Sequence, residues 1–164
     1  MNGPARPDQQ PSAADQRAAW LLVAGQLGLL ALVVLLPGRR AWSVPILLAR
    51  ATMLGEALGV LVMLVAATAL GRGLTAVPLP NEHARLRTGG LYRYVRHPIY
   101  SGLLLFAVSR AAGSASWWTV AATVALAALI NVKARWEERH LTLRFPQYAD
   151  YRERTPRFMP GWRR

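Results

Sequence analysis

The chain alternates between long apolar runs and short polar breaks. Four runs stand out, at residues 18–36, 51–70, 99–113 and 116–132. The first two reach the roughly 20 apolar residues that a helix needs to cross a bilayer core. The last two are shorter. At about 1.5 Å of rise per residue they predict a tilted or incompletely spanning helical hairpin that turns at Ala112-Gly113-Ser114. Open sheets cannot satisfy their backbone groups in lipid. The pattern therefore predicts an all-α, polytopic integral membrane protein with about four membrane helices, the last two a helical hairpin, plus a cytoplasmic C-terminal helix and tail.

The polar breaks divide the chain. Residues 1–17 carry Pro4, Pro7 and Pro11 and predict a disordered N-terminus. The run at 18–36 is too long for a signal-peptide core and has no small-residue cleavage site, so it reads as a retained helix ended by Pro37-Gly38. Residues 18–70 thus hold two membrane helices. Trp42 falls where an interfacial anchor would sit, as do Trp117 and Trp118. Gly55 and Gly59 form a small-xxx-small pair that permits close helix approach. Between them, Glu56 is the only acid well inside a run. It is a functional candidate by that location, against the plainer reading of a carboxylate reaching the interface from near a helix start.

Residues 72–98 form a long loop with Pro78, Pro80, Asn81, Glu82, His83, Arg85 and Arg87. Long loops in compact proteins are usually functional or disordered. This one leads into Gly89-Gly90-Leu91-Tyr92-Arg93-Tyr94-Val95-Arg96-His97-Pro98. The Gly pair permits a tight turn, and Pro98 suits the first position of a helix. The free N–H groups of such a helix start suit an anionic ligand group. Beyond Val132 the helical periodicity continues while the composition turns charged, up to Pro146. One helix is expected to leave the membrane and continue in water. Tyr148, Tyr151, Pro156, Phe158, Pro160 and Trp162 form an aromatic tail expected to fold back on the membrane surface.

Composition sharpens this picture. The 164 residues are 53% hydrophobic with a formal charge of +12, a combination rare in a soluble domain. In a membrane chain the charge reads as topology and attraction to anionic headgroups rather than nucleic-acid binding. Of the Lys and Arg residues, two fall in 1–17, three in 37–50, five in 71–98, one in 110–115 and nine in 133–164. The two richest segments belong on the cytoplasmic side, and the hairpin between them permits it. Both termini are then cytoplasmic, in a bacterial-type plasma membrane, with Arg39, Arg40 and Arg50 outside. The absence of cysteine excludes disulfides, thiolate metal sites and Cys nucleophiles, and no metal is expected.

Two polar clusters flank the hairpin: Arg96-His97-Pro98-x-Tyr100-x-Gly102 at its entrance and Lys133-x-x-x-Glu137-Glu138 at its exit. A helical hairpin brings its ends together, so the clusters should meet at one membrane face. Each has a plain reading. His97 caps a helix, the tyrosines form an interfacial belt, and Lys133 with Glu137 is an i,i+4 pair contributing about 0.2–0.5 kcal/mol. Their joint placement at both ends of one hairpin is what points to a pocket.

These residues, with Leu91-Tyr92-x-Tyr94, Glu137-Glu138-x-x-Leu141-x-x-x-Phe145, Tyr148-x-x-Tyr151 and Pro156-x-Phe158-x-Pro160, resemble the isoprenylcysteine carboxyl methyltransferase family and the related phospholipid methyltransferases. The resemblance covers about 83–160 and makes residues 71–164 the methyltransferase core. It implies S-adenosyl-L-methionine bound without a Rossmann fold and a lipidic or amphipathic acceptor. It implies a cofactor set of Leu86, Arg87, His97, Pro98, Ile99, Tyr100 and Glu137, and a catalytic set of Tyr92, Arg96, Lys133 and Glu138, of which Tyr92 and Lys133 contact the lipid acceptor. The chain departs from the pattern at Lys133, where Arg is usual, and in the Phe145-to-Tyr148 spacing, which is one residue short.

The chemistry of that cofactor fits the residues. Its carboxylate suits the Pro98 helix start and Arg96, its ammonium Glu137 or Glu138, and its sulfonium an aromatic face such as Tyr92 or Tyr100. A carboxylate acceptor, as in isoprenylcysteine O-methylation, is already ionised and needs only alignment and dryness. An amine acceptor must lose a proton, with His97 or a carboxylate as base. Other readings stay open: N- or S-methylation of a phospholipid or small molecule, an NADPH-dependent membrane reductase, and a non-enzymatic assembly protein. The sequence leaves the oligomeric state open.

Overall fold

A computed structural model of the chain describes residues 12–38, 41–75, 77, 79 and 85–161. Five α-helices follow one another: α1 (Ala13–Leu35), α2 (Ile46–Leu70), α3 (Pro98–Ser114), α4 (Trp117–Arg144) and α5 (Tyr148–Arg154). Short 3-10 turns lie at Gly71–Gly73 and Gly90–Arg93. No strand occurs among the described residues. Helices α1, α2 and α4 are long and apolar enough to cross a membrane. Helix α3 has 17 residues and rises about 26 Å, short of the hydrocarbon thickness of about 30 Å, as the shorter third run foreshadowed.

Helix α1 starts inside the stretch expected to be disordered. Ser12 caps it: its Oγ accepts from the Asp15 N–H at 3.1 Å while Asp15 accepts in return from the Ser12 N–H. This reciprocal box satisfies two otherwise orphaned donors and extends the helix one turn ahead of the apolar run. The remainder of the N-terminal expectation, at 1–11, lies outside the described residues. Helix α2 likewise begins at Ile46 rather than 51, directly after Pro45, so Arg50 is helical and exposed.

The closest packing joins α2 and α3 through small residues. A Cβ on Gly59 would sit 2.6 Å from the Gly102 carbonyl oxygen, and one on Gly102 would sit 2.6 Å from that of Gly59. Gly55 faces Ser109, and Gly113 faces Thr52, along the same line of contact. The small pair read from the sequence therefore seats α2 on α3. On the other side of α3, Leu103 and Ala107 pack with Ala122, Leu126 and Ile130 of α4 and Val33 of α1. Outward-facing Leu, Val and Trp residues of α1 and α2 stay exposed, as expected of surfaces that meet lipid.

The two ends of the bundle differ. At one end the α1–α2 linker binds the α3–α4 turn: the Ala41 N–H donates to the Ala115 carbonyl at 2.8 Å and Trp42 Nε1 to the Ala112 carbonyl at 3.3 Å. Trp42 also meets Trp117 edge to face. Arg39 and Arg40 lie outside the described residues. At the opposite end gather the described residues of 71–97, the start of α3, the end of α4 and the C-terminal residues through 161. Helix α4 is a single element of 28 residues, which rises about 42 Å and so outruns the hydrocarbon core, as its charged second half implied.

Candidate functional site

The site forms where α3 begins. Gly90 takes a positive φ of 59° and opens the turn that delivers Tyr92 inward. The Tyr92 hydroxyl donates to the Ala66 carbonyl of α2 at 3.3 Å, and its own carbonyl accepts from Tyr151 Oη at 2.5 Å. Pro98 occupies the first turn of α3, with His97 before it as the cap residue. His97 does cap α3 by position, but its side chain makes no cap bond and reaches across to Glu138 of α4 instead.

The C-terminal strap fixes that junction. The Arg96 and His97 N–H groups donate to the Pro156 and Arg157 carbonyls at 2.9 and 3.1 Å, and Ser101 Oγ donates to the Phe158 carbonyl at 2.7 Å. The aromatic tail therefore folds back on the start of α3, not simply on the membrane surface. Tyr148 and Tyr151 are buried. Trp162 lies outside the described residues.

Glu138 is the hub of a buried ionic cluster. Its Oε1 accepts from Arg96 Nε at 3.0 Å and Arg157 Nε at 2.9 Å, and lies 3.1 Å from His97 Nε2. Its Oε2 accepts from the second arm of the Arg157 fork at 2.8 Å. Bidentate pairing of this kind is strong and geometrically selective. Arg157 also donates to Asn131 Oδ1 at 3.0 Å, and Arg96 to the Arg152 and Thr155 carbonyls. The hydrogen bonds to Glu138 hold the Arg157 guanidinium above its ordinary range. Glu138 is thus saturated by neighbours.

Glu137 is placed differently. Its Oε2 accepts from Tyr100 Oη at 2.8 Å and lies 3.8 Å from His97 Nδ1. The Tyr100 and His97 rings stack at 5.3 Å with 14° between planes. One turn earlier on α4, Lys133 is buried, with Nζ donating to Gln26 Oε1 at 2.7 Å and lying 5.5 Å from the Tyr100 ring centroid.

These groups surround a cavity of about 310 Å³. Leu86 and Arg87 line it from the loop; Tyr92, Arg96 and His97 from the junction; Ile99 and Tyr100 from α3; Lys133 and Glu137 from α4. Of the residues singled out from the sequence, Pro98 and Glu138 do not line it. Pro98 is fully buried in the packing and Glu138 is engaged in the ionic cluster. Glu56 lies elsewhere on α2, half-buried, and lines no part of the cavity. Pro78, Pro80, Asn81, Glu82 and His83 lie outside the described residues.

Sequence reasoning missed several contributors. Gln26, Arg85, Tyr148 and Tyr151 line the cavity, and Arg157 with Asn131 braces it from behind. Gln26 and Asn131 were detectable as amides inside apolar runs, where polar groups are expensive and mark interior contacts. Tyr148 stood in the motif and the aromatic tail, but nothing local placed its side chain in the cavity. Its hydroxyl is buried without a hydrogen-bond partner, and burial pushes its phenol well above the ordinary range, with Glu138 adding to the effect. Burial does the same to Tyr92, and lifts Tyr151 to about 12.

The donor set suits a zwitterionic ligand that also carries a sulfonium. Arg85, Arg87 and the first-turn N–H groups of α3 can hold a carboxylate; Glu137 can accept from an ammonium; and the Tyr92 and Tyr100 faces can lie against a cation. The unpartnered Tyr148 hydroxyl offers one further hydrogen bond. A sequence model of the phospholipid methyltransferase family matches residues 46–148. The chain is also 38% identical over 82 residues to the cobalt-zinc-cadmium resistance protein CzcN of Cupriavidus metallidurans, a match covering 49% of this chain and 38% of that protein.

Proposed function

The chain belongs to the phospholipid methyltransferase family, and from that premise we propose that its cavity binds S-adenosylmethionine and directs methylation of a lipidic or amphipathic acceptor at the membrane boundary. The finer proposal is O-methylation of a carboxylate of the isoprenylcysteine type. The observation that carries the reading is the cavity itself. It gathers both ends of the α3–α4 hairpin around one available carboxylate, a basic loop and aromatic walls. When bound, the cofactor supplies an electrophilic methyl group on a sulfonium.

The protein's own residues then have separate tasks. Glu137, oriented by the Tyr100 hydroxyl, receives the ammonium. Arg85 and Arg87 with the start of α3 receive the carboxylate. Tyr92 and Tyr100 present ring faces to the cation. The Glu138 cluster positions Arg96 and His97 and ties the strap shut. The apolar lining, including Leu70, Leu79 and Phe145, keeps water from the reacting centre. An oxyanion acceptor needs no base, so alignment is the main contribution.

The test is a calorimetric titration of the detergent-purified protein with S-adenosylmethionine, S-adenosylhomocysteine and NADPH. Saturable binding of both S-adenosyl compounds, without NADPH binding, is expected. Failure of both to bind would sink the reading. A methyl-labelling screen over prenylated-cysteine analogues, phospholipids and small thiols then identifies the acceptor.

A further inference from the structure

We propose that Lys133 is a resident cation of the cavity: it holds the Tyr100 ring face beside Glu137 in the free protein, and its charge sets how strongly the site discriminates a sulfonium from the neutral thioether left after methyl transfer. The proposal rests on the methyl-transfer reading and deepens it by giving Lys133 a task toward the cofactor's reacting end. The acceptor plays no part in it.

The argument begins with what surrounds the ammonium. Lys133 lines the cavity and is 4% exposed. Its Nζ donates to Gln26 Oε1 at 2.7 Å and lies 5.5 Å from the Tyr100 ring centroid, within reach of a cation–π contact. Glu137 stands one turn along the same helix, and its charge acts on Lys133. Glu137 in turn accepts from the Tyr100 hydroxyl at 2.8 Å. Lys133 thus occupies the corner where the cavity offers a cation both an aromatic face and a carboxylate. Gln26 is neutral, so it fixes the ammonium in place without cancelling its charge. The other lining cations are placed differently: Arg96 pairs with Glu138, and Arg85 and Arg87 are exposed on the loop.

Counting charge gives the consequence. His97 stacks on the Tyr100 ring at 5.3 Å, so a sulfonium brought to Tyr100 meets a ring that already has both an imidazole and an ammonium beside it. S-adenosylhomocysteine adds an ammonium and a carboxylate to the cavity. S-adenosylmethionine adds the sulfonium besides. That extra cation enters a corner where the Glu137 charge is already shared with Lys133, and like charges at close range repel strongly away from bulk water. The neutral thioether escapes this repulsion. Methyl transfer breaks the sulfur–carbon bond, leaves its electron pair on sulfur and joins the carbon to the acceptor, so the cation is lost as the reaction proceeds. An interaction that opposes the sulfonium in the ground state and fades toward the transition state speeds transfer.

The test titrates the full-length, detergent-purified protein at neutral pH with S-adenosylmethionine, S-adenosylhomocysteine and sinefungin, read by calorimetry. Sinefungin carries a protonated amine where the sulfonium stands and cannot transfer a methyl group, so it reads the charge alone. Lys133→Met and Lys133→Gln should each strengthen S-adenosylmethionine and sinefungin relative to S-adenosylhomocysteine by about fivefold or more. Lys133→Arg keeps the charge and should leave both ratios near their wild-type values. S-adenosylhomocysteine binding by the neutral variants reports an intact cavity. Unchanged ratios in a neutral variant that binds S-adenosylhomocysteine would overturn the proposal, as would a shift in Lys133→Arg as large as theirs. Loss of S-adenosylhomocysteine binding in both neutral variants would overturn it too, because Lys133 would then be part of the cavity's frame rather than a competing charge. Binding of neither S-adenosyl compound by the wild type would overturn the methyl-transfer reading, and this proposal with it; the wild-type titration therefore tells the two failures apart.

Discussion

Adjacent glutamates on α4 carry different duties because a helix turns 100° per residue. Glu138 points into the Arg96–Arg157–His97 cluster, whereas Glu137 lines the cavity. Substitution should separate them. Glu137→Gln is expected to weaken S-adenosylhomocysteine binding at least several-fold, by calorimetry, with little change in melting temperature. Glu138→Ala strands two guanidinium groups and should cost about 3–5 kcal/mol of stability, the typical penalty for breaking a buried pair. A thermal melt in detergent that leaves Glu138→Ala as stable as the wild type would contradict its role as hub. The Glu-Glu pair was legible in the sequence, but its division of labour was not, since that depends on where Arg157 returns to meet α4.

At the scale of elements, the decisive contact is α2 against α3. Gly59 and Gly102 face one another backbone to backbone, so a methyl group at either would meet the opposing carbonyl oxygen at 2.6 Å, which cannot swing aside as a side-chain end can. Gly102→Ala should destabilise by about 1–3 kcal/mol, the usual range for overpacking, and should loosen Tyr92, which is anchored to α2 through Ala66. Gly28, whose added Cβ would meet nothing within 4 Å, provides the control: Gly28→Ala should be neutral or slightly stabilising in the same melt, since Ala favours helix over Gly by about 1 kcal/mol. The small pair on α2 was visible from spacing alone. Its partner face on α3 was not, because Gly102, Ser109 and Gly113 acquire meaning only from the register of the two helices.

At the scale of the molecule, the 85–97 segment and the C-terminal strap share one end and the 112–116 turn the other. The charge bias predicts that the strap end is cytoplasmic. The natural chain has no cysteine, so single reporters are clean: Thr88→Cys and Asp150→Cys should react with an impermeant maleimide only from the cytoplasmic side, and Ser43→Cys only from outside. Alkali offers a second global probe. Burial lifts Tyr151 to about 12, while an unfolded Tyr ionises near about 10. Between those values the folded state holds more protons, so stability should be intact below pH of about 10 and fall as pH rises toward 12. Equilibrium melts at stepped pH would show the midpoint dropping across that window.

The sequence by itself determined what is local or periodic. Run length and apolarity specify helices for lipid, Pro98 specifies where α3 begins, and Pro146 specifies where α4 has ended. Hairpin geometry brings the two polar clusters to one face, because antiparallel neighbours share their ends. Tertiary structure decided everything that depends on distant segments meeting. It sent Arg157 to Glu138, buried Tyr148 beside the cavity and set Gln26 against Lys133, a pair 107 residues apart. Those contacts follow from helix rotation and packing register. A single chain of letters encodes both only through the sum of many weak contacts, and no local pattern reports that sum.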